Sequence, residues 1–423
     1  MSRSETKEMK MKLSPPLPRS LNLSISSVAF AAAFYLAVVP ASFADTSWQG
    51  TVNNSWAENG NWSTGFAPPA PAACAIYPGD AAIQKLDLGG PTGRMEVGGR
   101  FDFSPGGSGY TFSGIDGSVS GFFIRAGGKV NGLVNKDDST QTFNVPIKLA
   151  GNNGMPGPLA AMTFNAEAGD FVFNGNNNAP AAPWTINLNG AAALTMKTGP
   201  GSTISVGTKG PGQIVNTNTG TFSGLIKTGV GKLFLGGTAP NTFIGRNVIQ
   251  EGTITAGKIN ALGSGNALKV AGTSTFATGG LDQNIGTLEL QGTLTIDMAN
   301  GSGKVSFADS KDFDWTGFNL IIVNFAIGSS SLQFGTDGTG LTRAQLSAIV
   351  FADIGNARGQ IDANGMVTPG AASSAPLATP PSTSPSTPPV ATTTSPSTPT
   401  PTHSVKPINK QPHPTPAYPA YDR

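Results

Sequence analysis

Residues 286–298, Gly-Thr-Leu-Glu-Leu-Gln-Gly-Thr-Leu-Thr-Ile-Asp-Met, constrain the fold more than any other stretch of the chain. Leu288, Leu290, Leu294, Ile296 and Met298 share one parity, while Glu289, Gln291, Thr293, Thr295 and Asp297 share the other. Strand side chains alternate between two faces, so this pattern predicts one dry face and one wet face, with Gly292 marking a bend between two short strands. Similar runs recur at Phe101–Phe103, Phe122–Ile124, Thr163–Phe164, Phe171–Phe173, Thr185–Leu188, Ser202–Val206 and Lys232–Leu235. Gly, Asn, Pro or Ser separates them at intervals of roughly ten residues, the spacing of turn-linked strands. Residues 45–370 therefore read as all-β.

One segment breaks the pattern. Leu341-Thr-Arg-Ala-Gln-Leu-Ser-Ala-Ile349 places Thr342 as N-cap and Gln345 three residues on, which is the signature of a capping box. Leu341 and Leu346 stand at the hydrophobic-staple positions of a helix about two turns long. Asp362-Ala-Asn-Gly365, between Ile361 and Met366-Val367, predicts a terminal hairpin. Together they define a terminal cap at about 341–370.

Residues 224–257 carry a repeat unit. Lys227-Thr-Gly229 leads in, Leu233 and Leu235 point one way, Asn241-Thr-Phe243 turns the chain, and Val248-Ile249 and Thr253-Ile254 supply further strands. One such unit cannot enclose a core, whereas stacked units can, so the pattern points to a solenoid. The segment resembles the autotransporter-associated β-strand repeat through Lys227, Gly229, Gly231, Leu233, Leu235, Gly237, Asn241, Thr242, Phe243, Gly245, Gly252 and Thr253. Two residues are inserted around Thr238-Ala-Pro240. Arg246-Asn247 replaces the small residues usual after the glycine, so a looser turn is expected there. The tryptophan-rich opening, Trp48, Trp56 and Trp62, and the closing stretch from Leu341 to Gly365 are similar to modules of the same secreted proteins.

The resemblance implies a right-handed parallel β-helix displayed or secreted by Gram-negative bacteria. The family's outer-membrane barrel has no counterpart here, so self-transport is not expected. At roughly 20–25 residues per coil the body would hold at most about 13–16 coils, a stack of about 60–75 Å at ~4.8 Å per coil. Open final coils would expose strand edges. The tryptophan segment and the Leu341–Ile349 helix are the expected caps.

Both termini differ from the body. Residues 1–44 read as a signal peptide: a basic region to Arg19, the apolar run Val28–Val39, the breaker Pro40, and Ser42-Phe43-Ala44 before a cut at Asp45. The apolar run is short of the ~20 residues of a bilayer span, so no stable membrane span is expected after cleavage. Residues 371–423 are rich in Pro, Ser and Thr and read as a disordered arm. In extended geometry at about 3.1 Å per residue that arm could reach roughly 160 Å.

Charge excludes some functions. The chain holds 26 Lys+Arg and 24 Asp+Glu. Removing the five basic and two acidic residues of 1–44 leaves 21 against 22, no surplus with which to neutralise phosphates, so no nucleic-acid partner is expected. His403 and His413, the two histidines, lie in the C-terminal arm. Histidine-dependent triads and His-ligated metals are therefore excluded from the body. The lone Cys74 has no basic neighbour to activate it.

Parallel β-helices also host polysaccharide lyases and hydrolases, so carboxylates must be weighed. Asp309-Ser-Lys-Asp312-Phe-Asp314 is the densest acidic cluster. Were 312–314 a strand, Asp312 and Asp314 would share a face about 7 Å apart, suiting a carboxylate pair or calcium. The bland alternative is a solvated turn entering a strand at Trp315, with Lys311 neutralising the cluster. Asp137-Asp138 reads as a solvated loop; Glu167, Asp170 and Asp80 have no assignable partner. Gly106-Gly-Ser-Gly109 and Gly199-Pro-Gly201 open no helix and read as turns rather than phosphate cradles. Trp48, Trp56 and Trp62 are either a solenoid cap or a sugar platform.

No catalytic, cofactor-binding or metal residue is assigned. The expected role is structural or adhesive at the cell surface, or in the periplasm, with extracellular polysaccharide or other cell surfaces as partners. The alternatives are a glycan-active enzyme using Asp312 and Asp314, or a spacer body that presents the Pro-rich arm.

Overall fold

The alternating runs become short strands, and nearly all of them pair parallel. A computed structural model describes residues 46–65, 75–78, 81, 85–87, 95–98, 100–114, 122–125, 132–150, 161–175, 185–188, 193–216, 224–299 and 301–370. The signal-peptide reading, Cys74, Asp80, both histidines and the arm at 371–423 lie outside these residues.

From Ala75–Tyr77 to Ser274–Ala277, strands that follow one another in the chain enter different sheets, and parallel neighbours within a sheet come from successive passes. In the ten-stranded sheet Phe101 pairs with Leu133, Leu133 with Phe164, Phe164 with Met196 and Met196 with Lys227. Lys227 then pairs with Ile249, Ile249 with Val270, and Val270 with Leu290. Every member of this inward row is buried. A sixteen-stranded sheet supplies the matching row Phe171, Ile204, Leu233, Ile254, Phe276, Ile296, Ile322 and Phe351, also buried. In-register parallel pairing sets like positions one strand spacing apart, so rings stack. Phe112 lies 4.6 Å from Phe143 at 5°, and Phe307 lies 4.7 Å from Phe334 at 17°.

The number of passes is lower than expected because the earlier ones are longer. Positions in the inward row run 101, 133, 164, 196 and 227, then 249, 270 and 290. The late passes are thus roughly ten residues shorter and match the 20–25-residue coil of the sequence reading. The early ones carry a third strand each. Met95–Gly98, Phe122–Arg125, Ile147–Ala150, Ile186–Asn187 and Ile214–Val215 form a five-stranded parallel sheet. At ~4.8 Å per step the ten-stranded sheet measures about 43 Å across its strands, short of the expected 60–75 Å.

The five-stranded sheet stops at Ile214–Val215, and a side chain takes over its edge. The Ile214 N–H donates to Asn241 Oδ1 at 2.8 Å, and the Thr242 N–H donates to the Ile214 carbonyl at 3.0 Å. Asn241 and Thr242 of the repeat thus continue the hydrogen bonding where no strand follows. Side-chain amides tie the turn around Arg246-Asn247. Asn247 is buried and donates to the Leu262 carbonyl at 2.8 Å, while the Gly245 N–H donates to Asn266 Oδ1 at 3.3 Å.

Both ends are closed. At the N-terminal end Thr46–Ser47 pairs with Ala75–Tyr77, and residues 61–63 cover its other side: Ser63 N–H donates to the Ser47 carbonyl and Gln49 N–H to that of Asn61. Trp48 and Trp62 meet in an antiparallel bridge with their rings edge to face at 5.1 Å, and Trp56 meets Trp62 at 4.6 Å. At the C-terminal end the helix Arg343–Ala348 carries the expected capping box. Ala357–Ile361 and Met366–Pro369 form the expected antiparallel hairpin around Asp362–Gly365. Its strands pair antiparallel with Ile349–Phe351 and Ser331–Phe334, joining two parallel stacks into the sixteen-stranded sheet.

Candidate functional surfaces

The acidic segment closes a sheet edge. Residues 312–314 form no strand, and Trp315 precedes rather than enters the strand Leu320–Val323, so the same-face geometry for Asp312 and Asp314 does not arise. Leu288–Leu290 is the last strand of the ten-stranded sheet. The Leu288 N–H donates to Ser310 Oγ at 3.0 Å, and its carbonyl accepts from Trp315 Nε1 at 3.3 Å. Backbone groups that a further strand would pair are thereby satisfied by two side chains of this segment.

Asp309, Asp312 and Asp314 are exposed. Asp309 is held below the usual carboxylate range chiefly by the hydrogen bond from the Lys311 ammonium at 2.6 Å. Asp314 is lowered by the Thr316 hydroxyl, and Asp337 by the Thr339 hydroxyl. A general acid needs its carboxyl raised, so these three are tuned the wrong way for proton donation.

Asp137 corrects the expectation of a solvated loop. It is 1% exposed, and its Oδ1 accepts the N–H groups of Gly106 and Gly107 at 3.3 and 3.4 Å. The glycine-rich turn at 106–109 thus grips a carboxylate of its own chain. Parallel stacking sets this turn beside the next one, a juxtaposition that sequence spacing does not reveal. Gln141 Nε2 approaches Asp137 Oδ2 at 3.5 Å, and Gln141 Oε1 accepts from the Tyr110 N–H at 2.8 Å. Asp138 is exposed, as expected of the loop. Asp170 has a partner after all: its Oδ1 accepts the Thr203 N–H at 2.7 Å, whereas Glu167 is exposed. Trp48, Trp56 and Trp62 are all buried, which makes them a cap and not a sugar platform.

Two buried amines escaped the sequence reading. Lys227 stands in the inward row between Met196 and Ile249, where the pattern calls for an apolar residue. Its ammonium reaches the strand end and donates to the carbonyls of Thr228, Gly229 and Glu251 at 3.0, 2.5 and 3.1 Å. Burial lowers its pKa to about 8, opposed by the nearby Glu251 carboxylate. The glycine of the Gly-Thr motif is required by the backbone around this site: φ is +79° at Gly252, and a Cβ there would lie 2.3 Å from the Gly229 carbonyl oxygen and 2.6 Å from that of Gly231, with the Lys227 nitrogen at 2.7 Å. Lys258 ties three passes together, donating to the Gly212 carbonyl at 2.7 Å, the Ala239 carbonyl at 3.0 Å and Asn241 Oδ1 at 2.8 Å. Burial lowers it further, to about 7. The signal available in sequence was a lysine just after a strand that ends in Ala-Gly, which is too common to be diagnostic.

The outer faces differ in charge. On the ten-stranded sheet Asp102 holds Arg100 and Lys136, and Glu289 holds Lys269 and Arg246, so these charges are paired locally, while Lys197 is exposed. On the sixteen-stranded sheet two outward rows run in register: Thr203, Lys232, Thr253, Thr275 and Thr295, beside Ser205, Phe234, Thr255, Ala277 and Asp297. Among the described residues no group of three or more His, Cys, Asp or Glu gathers as a metal site, and no helix is long and apolar enough to cross a membrane. No protein-family profile matches the chain, and no curated protein or solved structure matches it either.

Proposed function

We propose that this protein is exported and serves, without catalysis, as a structural or adhesive β-solenoid at the cell surface, wound with the right-handed sense of the autotransporter-associated repeats it resembles. The observation that carries this reading is the stacked parallel architecture with an outward face of hydroxyl-bearing rows on one side. Such a face offers many equivalent weak contacts and no focused pocket of perturbed acids. The acidic segment, the best candidate for a catalytic pair, supports the same reading through its role in closing the Leu288–Leu290 edge. The leader pattern at residues 1–44 supports export.

Cell fractionation combined with protease treatment of intact cells tests this directly. Recovery of a chain shortened at its N-terminus, in a fraction digested by externally added protease, is the expected result. A full-length chain recovered only with cytosolic markers would overturn the proposal.

A further inference from the structure

Phe234 faces outward, between the inward-facing Leu233 and Leu235. Its ring folds down over two glycines. A Cβ on Gly236 would come within 2.5 Å of the ring's Cε1, and one on Gly257 within 2.4 Å of its Cζ. Only residues without a side chain let an aromatic ring approach the backbone so closely. The ring's outer end thus packs on this glycine floor, and the residue stays half-buried on the outward face.

Among the described residues the neighbouring hydroxyls have no partners. Thr253, Thr255, Thr275, Thr295 and Ser205 are half-buried on the same face. Their side-chain oxygens make no hydrogen bond among the described residues. Several serines and threonines elsewhere are engaged, as with Ser310 on Ala308, Thr316 on Asp314 and Ser330 on Gly301, whereas the buried Thr198 and Ser274 hydroxyls are not. Register places Thr253, Thr275 and Thr295 on consecutive strands, with Thr255 beside the first and Phe234 one strand before Thr255. The spacing is ~4.8 Å between strands and about 6.6–6.8 Å between outward positions along a strand.

We propose that this face binds an extended, uncharged polysaccharide chain laid along the stacking direction, with one sugar ring on Phe234 and the hydroxyls of its neighbours on Thr253, Thr255, Thr275 and Thr295. Charge selects this occupant. Thr253, Thr255, Thr275, Ala277 and Thr295 carry no charge, and Lys232 beside Phe234 and Asp297 beside Thr295 flank them with opposite signs. An anionic polymer finds no row of cations to pair with, and a protein partner would need apolar anchors beyond one ring. A neutral glycan offers what the face can use: an apolar C–H face for stacking and hydroxyls that both donate and accept. This inference rests on the surface role proposed above, but the two fail separately. Glycan binding by a chain confined to the cytosol removes that role alone.

The test is native affinity electrophoresis of the full chain through gels containing soluble uncharged β-glucan, xyloglucan or mannan, with alginate and polygalacturonate as anionic comparisons. Retardation by at least one neutral polymer, insensitive to salt, is expected. Phe234→Ala should weaken it by roughly three- to tenfold, Phe234→Trp should retain it, and the pair Thr255→Val with Thr275→Val should also weaken it. Thermal melts followed by circular dichroism establish that each variant is folded. Because valine keeps the branched shape and the strand preference of threonine, that pair reports on the face even if Phe234→Ala fails to fold. No retardation by any neutral polymer, retardation by the anionic ones alone, or binding unchanged in folded variants would overturn the proposal.

Discussion

Gln345 joins two functions that ordinary capping keeps apart, and its replacement by glutamate separates them. Its Oε1 accepts from the Thr342 N–H at 2.7 Å and the Thr342 hydroxyl at 3.0 Å, completing the helix cap. Its Nε2 donates to the carbonyls of Ser310 and Phe313, both at 2.8 Å, and the residue is 3% exposed. The amide therefore locks the 308–318 segment, whose Ser310 and Trp315 close the Leu288 edge. Were the side chain only a cap, Gln345→Glu would be neutral or mildly stabilising, because a carboxylate in the first turn favours the helix dipole by about 0.3–1 kcal/mol.

The structure gives the opposite sign. Glutamate keeps the acceptor but turns two donors into an oxygen facing two carbonyl oxygens. Losing two buried hydrogen bonds removes about 1–3 kcal/mol, and leaving acceptors unsatisfied adds about 1–3 kcal/mol each, less whatever water recovers. A destabilisation of about 3–5 kcal/mol is expected, measured by urea unfolding followed by circular dichroism. Amide exchange at Leu288 should quicken as well, since its protecting partner sits in the loosened segment. At low pH a protonated glutamate regains one donor, so part of the loss should return on acidification. Unfolding of Gln345→Glu at the same urea midpoint as the parent chain would refute the locking role.

Three further outcomes follow from the same structure. Lys258 and Lys227 have folded pKa values near 7 and 8, below the free-lysine value of about 10.4, so the unfolded chain binds protons that the folded one lacks; stability should rise with pH from about 7 toward 10, and Lys258→Met should flatten that slope in pH-dependent urea titrations. Asp137→Ala strips the acceptor from the N–H groups of Gly106 and Gly107 and should lower stability by about 1–3 kcal/mol, with Asp137→Asn losing less; equal stability of all three chains would dismiss the gripped turn. Asp312→Asn and Asp314→Asn change exposed carboxylates and should alter stability, read from urea unfolding, by no more than the roughly ±0.5 kcal/mol typical of surface changes. A reducing-sugar assay on a glycan panel that detects turnover abolished by Asp312→Asn would revive the enzymatic alternative.

The strands were legible because their information is local. Period-two alternation at 288–298, glycine at the bends, and the Thr342–Gln345 spacing each state a backbone conformation within a few residues, and each is found where expected. Which strands become neighbours is not local, and neither is what lies beside a turn. Whether a pass takes about 20 or about 30 residues depends on whether a third strand is present, so the number of passes came only with the parallel register. Asp137 looked solvated until stacking set Gly106 and Gly107 against it, and the acidic segment looked like a site until its Ser310 and Trp315 were found on the edge of Leu288–Leu290. Phe234 read as one more strand residue. The sequence by itself determined the class of secondary structure, the caps and the charge-poor body, because those depend on residue type and short spacing. The tertiary structure alone decided which polar groups are buried and satisfied and which are left facing outward, because that depends on what the neighbouring pass brings within hydrogen-bonding distance.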